Sequence, residues 1–144
     1  MSLMKKILMI FVCLLMLLTV SAQEKKFSPE RYNAELDKFI TQEAALTPQE
    51  AAKLLPLLHE MHERQRVIYG KMRKLDKEAP TDEKTCADLI KQYDKMNLEL
   101  RHIEHGYHKK MMLEASALKV YSVIKAENRF HRRMMKGWQK GRRH

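Results

Sequence analysis

The chain has 144 residues, with 28 Lys and Arg against 18 Asp and Glu, four Gly, four Pro and two Cys. This length holds one domain of ordinary size and excludes a multidomain enzyme. Gly and Pro are too scarce for the turns of a β-sandwich or for a Gly-rich phosphate loop. With 32% charged and only 7% aromatic residues, the composition suits long solvated helices with narrow apolar stripes. A formal net charge of +10 points to anionic or negatively charged partners without naming them.

Residues 1–22 read as a cleaved secretory signal. Lys5 and Lys6 form a positive start, Ile7 to Leu18 is an unbroken apolar run, and Val20-Ser21-Ala22 supplies a signal-peptidase site. The run is shorter than the roughly 20 residues that span a bilayer. Cleavage removes two Lys and Cys13, so residues 23–144 keep 26 basic against 18 acidic side chains. Cys86 is then the sole cysteine, either a free thiol or half of an intermolecular bridge.

Four helices are expected from residue 23 onward, and no strand pattern is present. The first opens at Phe27-Ser28-Pro29, with Ser28 as cap and Phe27 stapling onto Tyr32, and runs to about Ala45. Its apolar face is Tyr32, Leu36, Phe39 and Ile40. The second carries a capping box, with Thr47 at the N-cap, Pro48 behind it and Glu50 reaching back. Ala51, Leu54, Leu58, Met61, Gln65, Ile68, Met72 and Leu75 then alternate in steps of three and four, a heptad seam. Pro56 lies inside this helix and should bend it.

The third helix restarts at Thr81-Asp82-Glu83 with the stripe Leu89, Tyr93, Met96, Leu100, Ile103, Tyr107 and Met111. Helices two and three are each about 30 residues, roughly 45 Å, and their short connection makes an antiparallel hairpin. A fourth helix starts near Ser116, with Val120, Val123, Ile124, Phe130 and Met134 apolar. Beyond Asn128 the chain holds Arg129, Arg132, Arg133, Lys136, Lys140, Arg142 and Arg143 and no acid at all. Residues 137–144 are expected to be a disordered basic tail, with residues 23–136 as a single domain.

No enzyme motif is present: no phosphate loop, no nucleophile elbow and no H-E-x-x-H zinc motif. Metal binding is the nearer chemistry. His59, His62 and Glu63 share a helical face, and His102, His105 and His108 repeat every three residues on the facing helix. A zinc or copper site would need two or three of them to converge, within one chain or across a dimer; otherwise they are solvated. The basic end reads as a solvated terminus, as an attractor of acidic or unfolded chains, or as a contact for anionic lipid. Nucleic acid would suit the charge, but an exported protein rarely meets it.

Leu46-Thr47-Pro48-Gln49-Glu50, a secretory signal and a helical mature chain together resemble the LTxxQ-motif family of small periplasmic proteins, which includes Spy-like and CpxP-like chaperones. Leu46 and Thr47 match the motif, and Glu50 stands where the family has Gln. Ala115-Ser116-Ala117-Leu118-Lys119 occupies the place of a second motif copy without its Leu or Gln. The resemblance implies an all-α fold of bent antiparallel hairpins, paired into a curved homodimer in the periplasm. It also implies client binding without ATP or a required cofactor. Relatives restrain envelope-stress signalling through a membrane sensor, or bind zinc or copper. On this reading Arg129, Arg132, Arg133 and Lys136 attract partly unfolded clients, and exposed Phe130 and Met134 hold them.

Overall fold

A computed structural model describes residues 3–4 and 28–142. The chain divides into two compact units, residues 1–32 and 33–144. The expected signal sequence beyond residues 3–4, Phe27, and Arg143 lie outside the described residues. Four long helices follow one another: α1 Pro29–Glu43, α2 Pro48–Leu75, α3 Glu83–Glu114 and α4 Ala117–Gly141. No strand occurs among the described residues. The protein is all-α, as its patterning predicts.

Each helix start has its own stop-and-start chemistry. The Arg31 amide donates to Ser28 Oγ at 3.3 Å, so Ser28 caps α1. At the other end of α1 the Leu46 amide donates to the Thr41 carbonyl at 3.0 Å and the Ala45 amide to Gln42 at 3.2 Å. This pair of bonds is a Schellman closure. Its left-handed position falls on Ala45, with φ 47°, where glycine would carry no steric penalty. Thr47 then caps α2 reciprocally. The Glu50 amide donates to Thr47 Oγ1 at 3.1 Å, and the Thr47 amide donates to Glu50 Oε2 at 3.0 Å. Such a box is worth about 1 kcal/mol.

Helices α2 and α3 form the expected antiparallel hairpin. Lys53 pairs with Glu114 at 3.6 Å, Gln65 Nε2 donates to Glu104 Oε1 at 3.2 Å, and Tyr93 Oη donates to Asp76 Oδ1. Each step along α2 is matched by a nearly equal step back along α3. The seam buries Leu54, Leu58, Met61, Gln65 and Ile68 from α2 and Leu100, Tyr107 and Met111 from α3. Gln65, the one polar seam position, is thus satisfied by Glu104. α2 runs on through Pro56. Pro56 and Ala52, four residues before it, are both exposed, so the carbonyl that Pro56 leaves unbonded belongs to a residue on the solvent side. At the loop, the Thr85 amide donates to Asp82 Oδ1 at 2.9 Å, and this bond holds the Asp82 carboxyl below its ordinary value. Cys86 is a free, half-buried thiol.

α4 opens on Ser116, whose Oγ accepts from the Lys119 amide at 3.2 Å. Val120, Val123, Ala126 and Phe130 turn inward, and Phe130 packs on Phe39 of α1 with ring centroids 5.5 Å apart. Leu36 and Ile40 of α1 are completely buried. α1 and α4 therefore enclose only one half of the hairpin. In the other half Met72, Leu75, Leu89, Tyr93 and Met96 are half-buried, because two helices alone cannot cover their own seam. α4 also continues through Gly137 to Gly141, past the expected boundary at Lys136. A single glycine costs a helix only about 1 kcal/mol, and the surrounding Met, Trp, Gln and Lys tolerate the helical state.

Two substitutions test these local conclusions. Ala45→Gly should stabilise the protein by about 0.5–1 kcal/mol in urea denaturation, by relieving the left-handed alanine. The Tyr107 hydroxyl is buried with no hydrogen-bond partner, although Glu60 and Arg64 approach it, and burial raises its pKa. Tyr107→Phe should therefore be neutral or stabilising by up to about 1 kcal/mol in the same measurement, since it removes an orphaned polar atom and no bond.

Candidate functional site

The basic half of α4 divides into side chains that hold the fold and side chains that face water. Arg129 is bound to Glu43 at 3.3 Å, and the Arg133 guanidinium sits 4.9 Å above the Phe39 ring. Phe130, expected to be exposed to clients, is 7% exposed and belongs to the core. The correction has a plain cause: Phe130 continues the stripe Val120, Val123 and Glu127, and α1 lays Phe39 over it. Met134, the next step of the stripe, is half-buried. Arg132 and Lys136 are exposed as expected, and so are Lys140, Met135 and Trp138. The open surface lies further along the helix than patterning suggested.

The histidines of α2 meet carboxylates on two different helices. His59 Nε2 lies 2.7 Å from Asp37 Oδ1 of α1, and His62 Nε2 pairs with Glu127 Oε1 of α4. A second imidazole, His131, stands beside this pair with its ring centroid 6.2 Å from that of His62. Glu127 and His62 are among the least exposed polar side chains of the bundle, at 12% and 16%. A carboxylate so placed is stable only with a donor against it. Burial lowers the pKa of His131; Glu127 opposes that shift and His62 adds to it.

The expected metal set does not come together within the chain. His59 and His62 are committed to Asp37 and Glu127, Glu63 pairs with Arg66 at 3.1 Å, and His102 and His105 are exposed on α3. Among the described residues no three His, Cys, Asp or Glu are grouped so as to hold a metal ion. The reason is rotational: α2 presents His59 to α1 and His62 to α4, and meets α3 through Gln65 instead.

Glu127, His131 and Asp37 were missed in the sequence reading. Glu127 did leave a trace, because it occupies a core step between Val123 and Phe130 on an otherwise apolar stripe. A charge at such a step signals a buried partner. His131 and Asp37 left none, since neither occupies a core step of its helix's apolar stripe.

One pH dependence follows. An unfolded imidazole titrates near 6.5, and folded His131 titrates lower. The unfolded chain therefore takes up the proton first as pH falls. The stability His131 contributes is complete above about pH 6.5 and is lost as pH drops through the folded value. Urea midpoints should fall from pH 7.5 to pH 5, and His131→Gln should flatten that slope. Set beside known proteins, the chain matches no family model, no curated protein and no solved structure.

Proposed function

We propose that the protein is an ATP-independent periplasmic chaperone that binds partly unfolded proteins under envelope stress, acting by binding rather than catalysis. The observation that carries this reading is the exposure of large apolar side chains on a thin helical frame beside an acid-free basic helix end. Leu98, Ile90 and Val67 on the hairpin are 72%, 61% and 57% exposed, and Met135 and Trp138 on α4 are 63% and 62% exposed. A shallow groove of about 590 Å³ is lined by Tyr69, Leu98 and Leu100 together with the polar Asp94, Asn97, Arg101 and Glu104. Periplasmic location rests on the secretory signal read in residues 1–22.

Arg132 and Lys136 attract the client over long range, and Met135 and Trp138 take the holding role that Phe130, being buried, does not fill. Flexible Met side chains suit varied partners. A client that folds buries its own apolar surface and leaves, so no nucleotide cycle is needed. Pairing of two chains along the half-covered end of the hairpin accords with the homodimer implied by the LTxxQ resemblance.

The test is light scattering of a chemically denatured protein diluted into buffer. Equimolar chaperone should cut aggregation at least about twofold at low salt and progressively less as salt screens the attraction. Arg132→Gln with Lys136→Gln should remove the salt-sensitive part. Unchanged aggregation at equimolar protein would sink the proposal.

A further inference from the structure

The apolar stripe of α4 outlasts the protein that covers it. It steps through Val120, Val123, Glu127, Phe130 and Met134, and its next step is Trp138. Trp138 lies eighteen residues, or about five full turns, beyond Val120 and so has the same bearing on the helix. Val120 is 2% exposed and Trp138 is 62% exposed. Gly141 shares in the same way the bearing of Val123, which is completely buried. Around Gly141, and around Gly137, nothing stands within 4 Å of where a Cβ would be. The face that is core at the start of α4 is therefore uncovered by any described residue at its end.

The opposite face of this last stretch is basic. Arg132, Lys136 and Lys140 fall within about 80° of one another around the helix, centred roughly opposite Trp138, and Met135 and Arg142 lie on one flank. Arg132, Met135, Lys136, Trp138, Lys140 and Arg142 are all exposed, and Met134 is half-buried. No acid occurs between residues 128 and 144.

We propose that the end of α4, residues 132–142, is a docking surface for an anionic lipid membrane. The apolar side, with Met134, Met135 and Trp138, is a convex helix face rather than a pocket, which suits a fluid boundary better than a shaped protein partner. An indole is at home at the level of the lipid headgroups. Long Lys and Arg side chains reach past the apolar side to lipid phosphates while their methylene stems stay in the boundary. The one-sided charge complements an anionic leaflet. No described helix is long and apolar enough to cross a membrane, so the segment lies on the surface. This inference does not depend on chaperone activity, because aggregation assays contain no lipid.

Trp138 is the only tryptophan of the chain, so its fluorescence reports this face alone. The full chain is titrated with unilamellar vesicles of phosphatidylcholine, and with vesicles containing roughly one third phosphatidylglycerol. The expected result is a blue shift of Trp138 emission with the anionic vesicles, weakened by salt, and little shift with the neutral ones. Lys136→Gln, Lys140→Gln and Arg142→Gln together should weaken vesicle binding on the order of a hundredfold. The apolar run at residues 7–18 is present in every arm, so the decision rests on Trp138 emission and not on sedimentation. An unchanged emission overturns the proposal. So does an equal shift with neutral vesicles, with polyglutamate or with duplex DNA, or a shift that follows protein concentration without lipid.

Discussion

Three helices are tied together at one turn. The carbonyls of Ala44 and Ala45 end α1, and Lys119 Nζ donates to both, at 3.2 and 2.9 Å. The same ammonium lies 3.6 Å from Glu50, the carboxylate that closes the Thr47 box at the start of α2. A cation at a helix C-terminus is favourable, and so is an acid at a helix N-terminus. Lys119 serves one and completes the other from the first turn of α4. Leu46 between them is 8% exposed, so the turn is covered as well as bonded. The Leu-Thr-x-x-Glu string is thus the place where the directions of α1, α2 and α4 are set at once.

From that anchor the coverage of the hairpin follows. α1 turns back over α4 through Phe39 and Phe130, and α4 meets α2 through Glu127 and His62. Both helices stay near the end of the hairpin where Lys53 pairs with Glu114. The far end, beyond Ile68 and before Leu100, has no described helix against it and keeps its seam residues half exposed. A fold of this kind has low contact order, with local helices and one hairpin turn carrying most of the packing. Its exposed apolar area results from too few helices for the length of the hairpin, rather than from any strain.

The periodicity of 3 and 4 made the helices and seams legible. Every one of the eight α2 seam positions is buried or half-buried, including Gln65, and the caps at Ser28, Thr47 and Ser116 stand where residue chemistry placed them; Asp82 caps α3 within the acidic start expected there. What stayed illegible depends on which helix lies opposite. Phe130 read as exposed because nothing in the sequence says that Phe39 covers it. His59 and His62 read as ligands because their partners, Asp37 and Glu127, lie 22 and 65 residues away. α1 ends where expected, near Ala45, although the left-handed position there lacks the glycine that marks many such ends.

The positive charge of the final helix is divided by what each side chain meets rather than by sequence. Arg129 and Arg133, one turn apart, both face α1, where Glu43 and the Phe39 ring receive them. Arg132, Lys136 and Lys140 are exposed. A run of cations that looks uniform in sequence is therefore two sets with different consequences. Neutralising the first set removes an exposed ion pair and a ring contact to α1, so a change of binding in such variants would not separate a client contact from a contact within the fold. The second set can be changed with the bundle intact, because its side chains bear no packing. Those residues, together with exposed Met135 and Trp138, are the ones to change in order to separate attraction of a partner from maintenance of the fold.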